Sequence, residues 1–138
     1  MASRSSKRSR GAPVPPPPLH ELESEVMEQL WTGGEASVRS VMEALNRRSR
    51  KDRAYTTYMT IMARLHTKGL LSRRREGKTD YYTPVYERDE YMALRAQAEV
   101  EGLVAQYGDV ALSHFAQQMA SLDPARRRAL QRLARQSR

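Results

Sequence analysis

The chain has 138 residues and a net charge of +8 at neutral pH, and this length has room for one domain or for a small domain with an appendage. It contains no cysteine, which excludes disulfide frameworks and thiolate metal sites. It contains no run of about 18 apolar residues, and its basic N-terminus leads into prolines instead of an apolar segment, which argues against membrane insertion and a signal peptide. We therefore expect a cytoplasmic protein.

The first eighteen residues predict a disordered basic arm. Residues 1–12 are mainly serine, arginine and lysine, with too few apolar side chains to offset the entropy lost on ordering. The following "PVPPPP", residues 13–18, favours a stiff polyproline II spacer. Such an arm either touches phosphates without specificity or has no measurable role.

Three helices are predicted between residues 19 and 68. Apolar residues recur at spacings of three and four from Leu19 to Trp31, before two glycines. A second helix is expected to begin after Ser37, which is a good N-cap. The polar turn "NRRSRKDR" leads to a third helix that starts at Ala54 and ends near Lys68, where the next glycine can act as a C-terminal cap.

The hydrophobic period then changes from helical spacing to short runs compatible with strands. "LLSRRRE" and "DYYTPV" are joined by Gly77 and Lys78, which predicts a β-hairpin. Three helices followed directly by a hairpin is the order of a winged helix-turn-helix. We therefore predict a mainly α fold with a small β-hairpin wing, in which residues 19–85 form a winged-helix DNA-binding domain.

Residues 86–138 are predicted to form a helical dimerisation domain. Two amphipathic helices are expected across residues 91–119, and Asp123 and Pro124 mark the start of a third. Separate short helices make a poor core alone, so we expect their apolar side chains to meet a second copy of the chain; a bundle packed within one monomer is the alternative. The predicted contacts are Tyr91, Leu94, Leu103, Val104, Tyr107, Leu112, Phe115, Met119, Leu130 and Leu133.

Positive charge is concentrated around the third helix. Residues 36–84 hold twelve lysines and arginines against four acids, whereas residues 19–35 and 85–123 are acidic. A basic block between acidic stretches predicts a face directed at a polyanion, or else a generally soluble basic surface. Charge alone does not decide between the two.

The third helix has one side of small, neutral residues. At about 100° per residue, Thr56, Thr60, Ala63 and Thr67 fall opposite the apolar stripe, with Arg64 at the flank. Threonine hydroxyls bond to phosphates or base edges, and their methyl groups suit thymine. The helix therefore either enters a major groove or packs on both sides within the protein. The surrounding cations favour the groove, since they lie where phosphate contacts are needed; they include Arg53 before the helix and Arg73, Arg74, Arg75 and Lys78 after it.

No catalytic or metal site is predicted. His20, His66 and His114 are scattered without partners at ligand spacing. No motif supports Ser113 or any other nucleophile, and no glycine-rich phosphate loop is present. We expect neither an enzyme nor a cofactor.

Five segments together resemble the penicillinase repressor family, the bacterial BlaI/MecI-type regulators with their copper-responsive relatives. They are "ELESEVMEQLW", "VRSVMEAL", "AYTTYMTIMARLHTKGLL", "REGKTDYYTPV" and "RDEY". The resemblance covers Leu19 to about Tyr91 closely and the helical tail loosely. It implies a homodimeric winged-helix repressor that binds a palindromic operator in double-stranded DNA. The family's recognition positions correspond here to Tyr55, Thr56, Thr57 and Thr60, and its wing positions to Arg74, Arg75 and Lys78.

The resemblance also implies how repression is relieved. In this family a membrane-bound sensor protease detects a β-lactam and cleaves the repressor in its dimerisation region; another upstream signal is the alternative. The stretch "EVEGLVAQYGDVALSHF" does not reproduce the familiar cleavage sequence, so we assign no scissile bond. The absence of cysteine excludes copper sensing by thiolates. A winged-helix module that binds an acidic protein partner is the competing hypothesis from another class.

Overall fold

The computed structural model describes residues 14–136, which form six helices and three strands. In chain order these are α1 Glu21–Gly33, β1 Ala36–Ser37, α2 Val38–Arg48, α3 Tyr55–Thr67, β2 Leu71–Glu76, β3 Thr79–Pro84, α4 Arg88–Tyr107, α5 Asp109–Ala120 and α6 Pro124–Gln136. No helix within 14–136 is long and apolar enough to cross a membrane. The predicted fold class, mainly α with a β-hairpin wing, is confirmed. The described chain divides into two compact units between Ala96 and Gln97.

The core of the first unit is built where α1, α2, α3 and the hairpin meet. The apolar side predicted for α3 is fully buried, with Tyr58, Met62 and Leu65 each 0% exposed. The other core residues are Val26, Met27, Leu30, Val38, Val41, Leu45, Leu70, Leu71, Tyr82 and Tyr91. Because one side of α3 is buried in this core, its opposite side is directed outward.

The wing belongs to a three-stranded antiparallel sheet in the order β1-β3-β2. The β2–β3 register runs from Leu71 opposite Pro84 to Glu76 opposite Thr79, which leaves the predicted two-residue turn at Gly77 and Lys78. Gly77 has a φ of +64°, a conformation that tight hairpin turns require and that glycine adopts without strain. The predicted hairpin is confirmed. The two-residue strand β1 was not predicted, because two residues carry no period.

The orientation of α3 is fixed by the side chain of Asn46 at the end of α2. Its Nδ2 donates to the Arg53 carbonyl at 3.0 Å, and its Oδ1 accepts from the Arg53 backbone N–H at 3.1 Å. The same oxygen accepts from the Tyr58 hydroxyl at 2.9 Å, which satisfies the polar end of a buried ring. One amide thus closes the helix-turn-helix turn and anchors the first turn of α3.

Glu23 on α1 is a fully buried carboxylate that links the start of α1 to the end of α3. It accepts from the His20 backbone N–H at 2.9 Å and from Lys68 Nζ, just past α3, at 2.8 Å. Burial raises the pKa of Glu23, but these two donors outweigh burial and hold it below its ordinary value of 4.5. The pair therefore fastens the C-terminal end of α3 to α1.

We predict that Glu23→Gln lowers the free energy of unfolding by about 2–3 kcal/mol at neutral pH, below the range for fully buried pairs because Lys68 remains partly exposed. Folding lowers the pKa of Glu23, so its contribution is complete above pH 4.5 and is lost as pH falls through the folded value. Urea unfolding at several pH values tests this: the gap between wild type and variant should close in acid. A gap that does not vary with pH contradicts the assignment.

The proline segment contacts α4, and this corrects part of the predicted disordered arm. Residues 1–13 lie outside the described residues, but Pro16 is buried. The Tyr91 hydroxyl donates to the Pro17 carbonyl at 2.7 Å, and Arg95 donates to the Pro16 carbonyl at 3.0 Å. The Tyr91 ring also lies 5.6 Å from the Trp31 ring, and burial raises the pKa of its hydroxyl. Tyr91, predicted at the dimer interface, is therefore part of the core of the first unit.

The second unit contains the end of α4 together with α5 and α6. The predicted helix start after Asp123 is confirmed, because the Asp123 carboxylate accepts from the Arg126 backbone N–H at 2.9 Å. The Arg127 guanidinium donates to the carbonyls of Met119, Ala120 and Leu122 at the end of α5. A cation at these orphan carbonyls satisfies them and complements the helix dipole, so α6 locks the end of α5.

Candidate nucleic-acid interface

The outward side of α3 is exposed along its length. Tyr55 and Met59 are 42% and 44% exposed, large values for apolar side chains. The remaining exposed positions are Thr56, Thr57, Thr60, Arg64 and Thr67, with Ala63 half-buried. The alternative that α3 packs on both sides is therefore wrong, and the predicted threonine face lies on the surface.

The lysines and arginines of residues 36–84 divide into two groups. Four of the twelve lysines and arginines in residues 36–84 have a carboxylate within 4.0 Å: Arg53, Lys68, Arg74 and Arg75. The other eight have no such partner in the described chain, and they are Arg39, Arg47, Arg48, Arg50, Lys51, Arg64, Arg73 and Lys78. Eight uncompensated charges on one small domain produce a positive potential that attracts a polyanion.

Arg74, predicted as a wing contact with DNA, is held by the protein itself. Its Nε and Nη2 donate to both oxygens of Glu35 at 3.0 Å, and its Nη1 donates to Glu76 at 2.7 Å. Its guanidinium also lies 4.8 Å from the centre of the Tyr81 ring. The hydrogen bond from Arg74 holds the pKa of Glu35 below its usual range. Arg74 therefore connects the wing to the turn between α1 and β1.

Arg53 and Arg75 are also partly engaged. Arg53 Nη1 lies 3.5 Å from the Glu25 carboxylate, and interactions with Tyr58 and Glu25 raise the pKa of the guanidinium. Arg75 Nη1 lies 3.6 Å from Asp80 on the facing strand. Both ion pairs are exposed and weak, so they leave these arginines able to exchange partners.

A cleft of about 510 Å³ lies between α3 and the wing. Its walls come from the start of α2, the start of α3 and strand β3 with its turn; the lining residues are Ser37, Val38, Arg39, Tyr55, Met59, Lys78, Thr79, Asp80, Tyr81 and Tyr82. Of the predicted site residues, the cleft brings together Tyr55 and Lys78. Arg39, which the sequence argument missed, lies with its guanidinium 5.6 Å from the centre of the Tyr55 ring.

The histidines are not arranged as a metal or catalytic site. Within residues 14–136 no three histidine, aspartate or glutamate side chains form a group that could hold a metal ion. His66 Nδ1 lies 3.0 Å from the Leu71 carbonyl, where it supports the start of β2. His66 therefore has a structural contact of its own.

The predicted dimerisation residues are mostly on the surface of the second unit. Leu103, Tyr107 and Leu112 are 41%, 54% and 49% exposed, and Leu130 and Leu133 are exposed as well. Val104, Phe115 and Met119 are half-buried, as is Leu94, which lies in the first unit. None of the described residues from 97 onward is buried.

Residues 19–136 match the family model described as penicillinase repressor. The chain is also 40% identical over 122 residues to the transcriptional regulator BlaI of Mycobacterium tuberculosis, an alignment that covers 83% of this chain and 84% of that protein. The chain belongs to the penicillinase repressor family. The members of this family are transcriptional repressors, which confirms the prediction that the chain is not an enzyme. The competing hypothesis, a module that binds an acidic protein partner, is not favoured.

Two further relatives share less of the chain. The penicillinase repressor of Bacillus licheniformis is 27% identical over 82 residues, 59% of this chain and 62% of that protein. The solution structure of the DNA-binding domain of the repressor BlaI is 29% identical, covers 55% of this chain and 90% of that chain, and superposes with a TM-score of 0.48.

Proposed function

We propose that this member of the penicillinase repressor family is a cytoplasmic repressor that binds a palindromic operator as a homodimer through α3 and the wing. The observation that carries the proposal is the exposed threonine face of α3, in a domain where eight lysines and arginines have no carboxylate partner in the described chain. Thr56, Thr57 and Thr60 would meet base edges in the major groove, while Arg64, Arg73 and Lys78 would meet phosphates. A helix with this face has small side chains that allow close approach to DNA.

The proposed dimer uses the second unit, which begins at Gln97 and lies within the predicted dimerisation domain, residues 86–138. The support is its lack of any buried residue over 97–136, combined with exposed apolar side chains at Val100, Leu103, Tyr107 and Val110. Helices stay folded in water chiefly by burying an apolar face, and this unit has not yet buried one. Apposing the same faces of two copies would do so with closed two-fold symmetry.

Selection of bound sequences from a random DNA pool tests the function. We expect a dyad-symmetric site with half-sites separated by about 10 base pairs or a multiple of that, because two recognition helices would enter successive major grooves. Affinity should fall steeply with salt as phosphate counterions are released. Recovery of no preferred sequence, or binding that scales only with DNA length, contradicts the proposal.

Relief of repression would follow from loss of the dimer. The proposed route is cleavage of the second unit by a membrane-bound sensor protease in a β-lactam response, with another upstream signal as the alternative. Support comes from family membership and from the exposure of α4 and α5 across residues 97–120. A severed dimer loses the high effective concentration that holds the second half-site, so operator binding weakens without any change at the DNA surface.

A further inference from the structure

We propose that the cleft between α3 and the wing holds one DNA backbone strand, and that Arg39, supported by the ring of Tyr55, binds its phosphate from the α2 side. This inference rests on the proposed function. It adds a residue from outside the recognition helix and the wing, and it gives Tyr55 a positioning role where the sequence suggested base reading.

The first support is the electrostatic state of Arg39. It is exposed, and no carboxylate lies within ion-pairing distance of it among residues 14–136. Its guanidinium instead lies 5.6 Å from the centre of the Tyr55 ring, at the first residue of α3. Stacking on an aromatic ring restricts a flexible side chain while its N–H donors stay available, which is how arginine is prepared to bind phosphate.

The second support is the composition of the cleft walls. Arg39 lines one wall and Lys78, at the tip of the wing, lines another; Lys78 also has no carboxylate partner in the described chain. The remaining charged group of the cleft is Asp80, and its carboxylate lies 3.6 Å from Arg75. Arg39 and Lys78 therefore line the cleft without carboxylate partners in the described chain, and the one acidic residue of the cleft, Asp80, is paired with Arg75.

The third support is the N-terminal end of α2, which forms part of the same wall. Ser37 caps this helix by accepting from the Ser40 backbone N–H at 3.2 Å, and Ser37, Val38 and Arg39 all line the cleft. The positive end of the helix dipole therefore adds to the charge of Arg39.

The position of the cleft points to a polymer strand as its ligand. It lies between the helix proposed to enter the major groove and the wing proposed to contact DNA beside it. Two adjacent grooves of a duplex are separated by one sugar–phosphate strand, so a duplex on α3 places that strand between the helix and the wing. The cleft volume of about 510 Å³ leaves room for a phosphodiester.

The test measures operator affinity of the full chain across a salt series, using the site selected from random DNA. Arg39→Ala should weaken binding about 10-fold or more and reduce the salt slope by about 0.9 per half-site, with unchanged sequence preference, as expected for a phosphate contact. Arg39→Lys, which keeps the charge, should restore the slope. Arg128→Ala removes one exposed charge from α6 and serves as the matched control.

Substitutions at Tyr55 distinguish two roles for this side chain, which are positioning Arg39 and contacting a base. Tyr55→Leu should weaken binding in the wild-type background and have little further effect once Arg39 is alanine, while Tyr55→Phe should match wild type. An additive loss, or a changed base preference in Tyr55→Leu, overturns the positioning role. Replacing single operator phosphates by neutral methylphosphonates should reveal one position that weakens wild type but not Arg39→Ala.

The inference and the function fail in different ways. If wild type has no preferred DNA site, the proposed function is wrong. If wild type binds its site and Arg39→Ala keeps both affinity and salt slope, or loses no more than Arg128→Ala, the cleft is not a phosphate site and only this inference is overturned.

Discussion

Thr56→Glu and Thr60→Glu should each reduce operator affinity at least 100-fold while the protein stays folded and dimeric. A carboxylate on this face removes a base contact and brings a negative charge against the DNA, at a cost of roughly 1.5–3 kcal/mol in each of two half-sites. Thr56 lies in the first turn of α3, where an acidic side chain favours the helix dipole. Loss of binding in this variant would therefore not come from loss of the helix.

Thr67→Glu is the matched control on the same helix. Thr67 is exposed and on the same side of α3 as Thr56, but it lies in the last turn, about 16 Å along the axis at about 1.5 Å per residue. Recognition helices contact bases with their N-terminal residues, so this variant should retain most of the wild-type affinity. Equal losses in all three variants, or wild-type binding by Thr56→Glu, would show that α3 does not read the groove. Gel shifts and thermal unfolding of the same samples decide the matter.

The features of the fold that were predictable are those encoded by a local period. The helical spacing of Tyr58, Met62 and Leu65 separated the buried and exposed sides of α3, and both sides are as predicted. The change of period after Leu70 and the Gly77–Lys78 turn located the hairpin. In each case the information lies within a few consecutive residues, where spacing and backbone preference act directly.

Contacts between distant residues were not predictable in the same way. In the sequence Arg74 cannot be distinguished from its neighbours in "RRR". In the structure it donates two hydrogen bonds to the carboxylate of Glu35, which lies 39 residues earlier in the chain. Tyr91 has the same apolar character as Leu103, and helical spacing cannot say whether such a residue meets its own core or a second copy. Pairing of Tyr91 with the Pro17 carbonyl depends on the tertiary fold. The sequence therefore predicted which side of α3 is exposed, but not which arginines form ion pairs within the protein.

That distinction changes the expected chemistry of the DNA face. A count of cations would credit the wing with three equivalent arginines at positions 73–75. The structure shows one clamped by two carboxylates, one beside Asp80 and one without a carboxylate partner in the described chain. Internal ion pairs at Arg74 fix the wing in place, and the cations without a carboxylate partner are spread over α2, the turn before α3, α3 itself and the wing. Arg74 is therefore engaged within the protein, whereas Arg73 has no carboxylate partner in the described chain and is the wing arginine that we expect to meet a phosphate.

Leu103→Glu and Tyr107→Glu should convert the protein to a monomer and lower its affinity for a full operator by about 100-fold to 10,000-fold, the range over which linked sites exceed single sites. Both side chains lie on one exposed face of α4, one helical turn apart, and are 41% and 54% exposed. A buried carboxylate at the proposed interface would be desolvated without a partner, which dimers do not tolerate. Sedimentation equilibrium measures the mass, and titration of full and half operators measures the affinity.

The control for this prediction is Ala105→Glu, which introduces the same charge at an exposed position on the opposite side of α4 from Leu103 and Tyr107, at about 100° per residue. This variant should remain dimeric and bind like wild type. The monomeric variants should bind a single half-site as well as wild type does, because the DNA face in the first unit is unchanged. If they bind the full operator as tightly as wild type, or if wild type itself sediments as a monomer at micromolar concentration, the second unit is not the dimerisation surface. If the two variants lose affinity for the full operator but not for the half operator, the exposed apolar faces of the C-terminal helices are required for operator binding by the dimer.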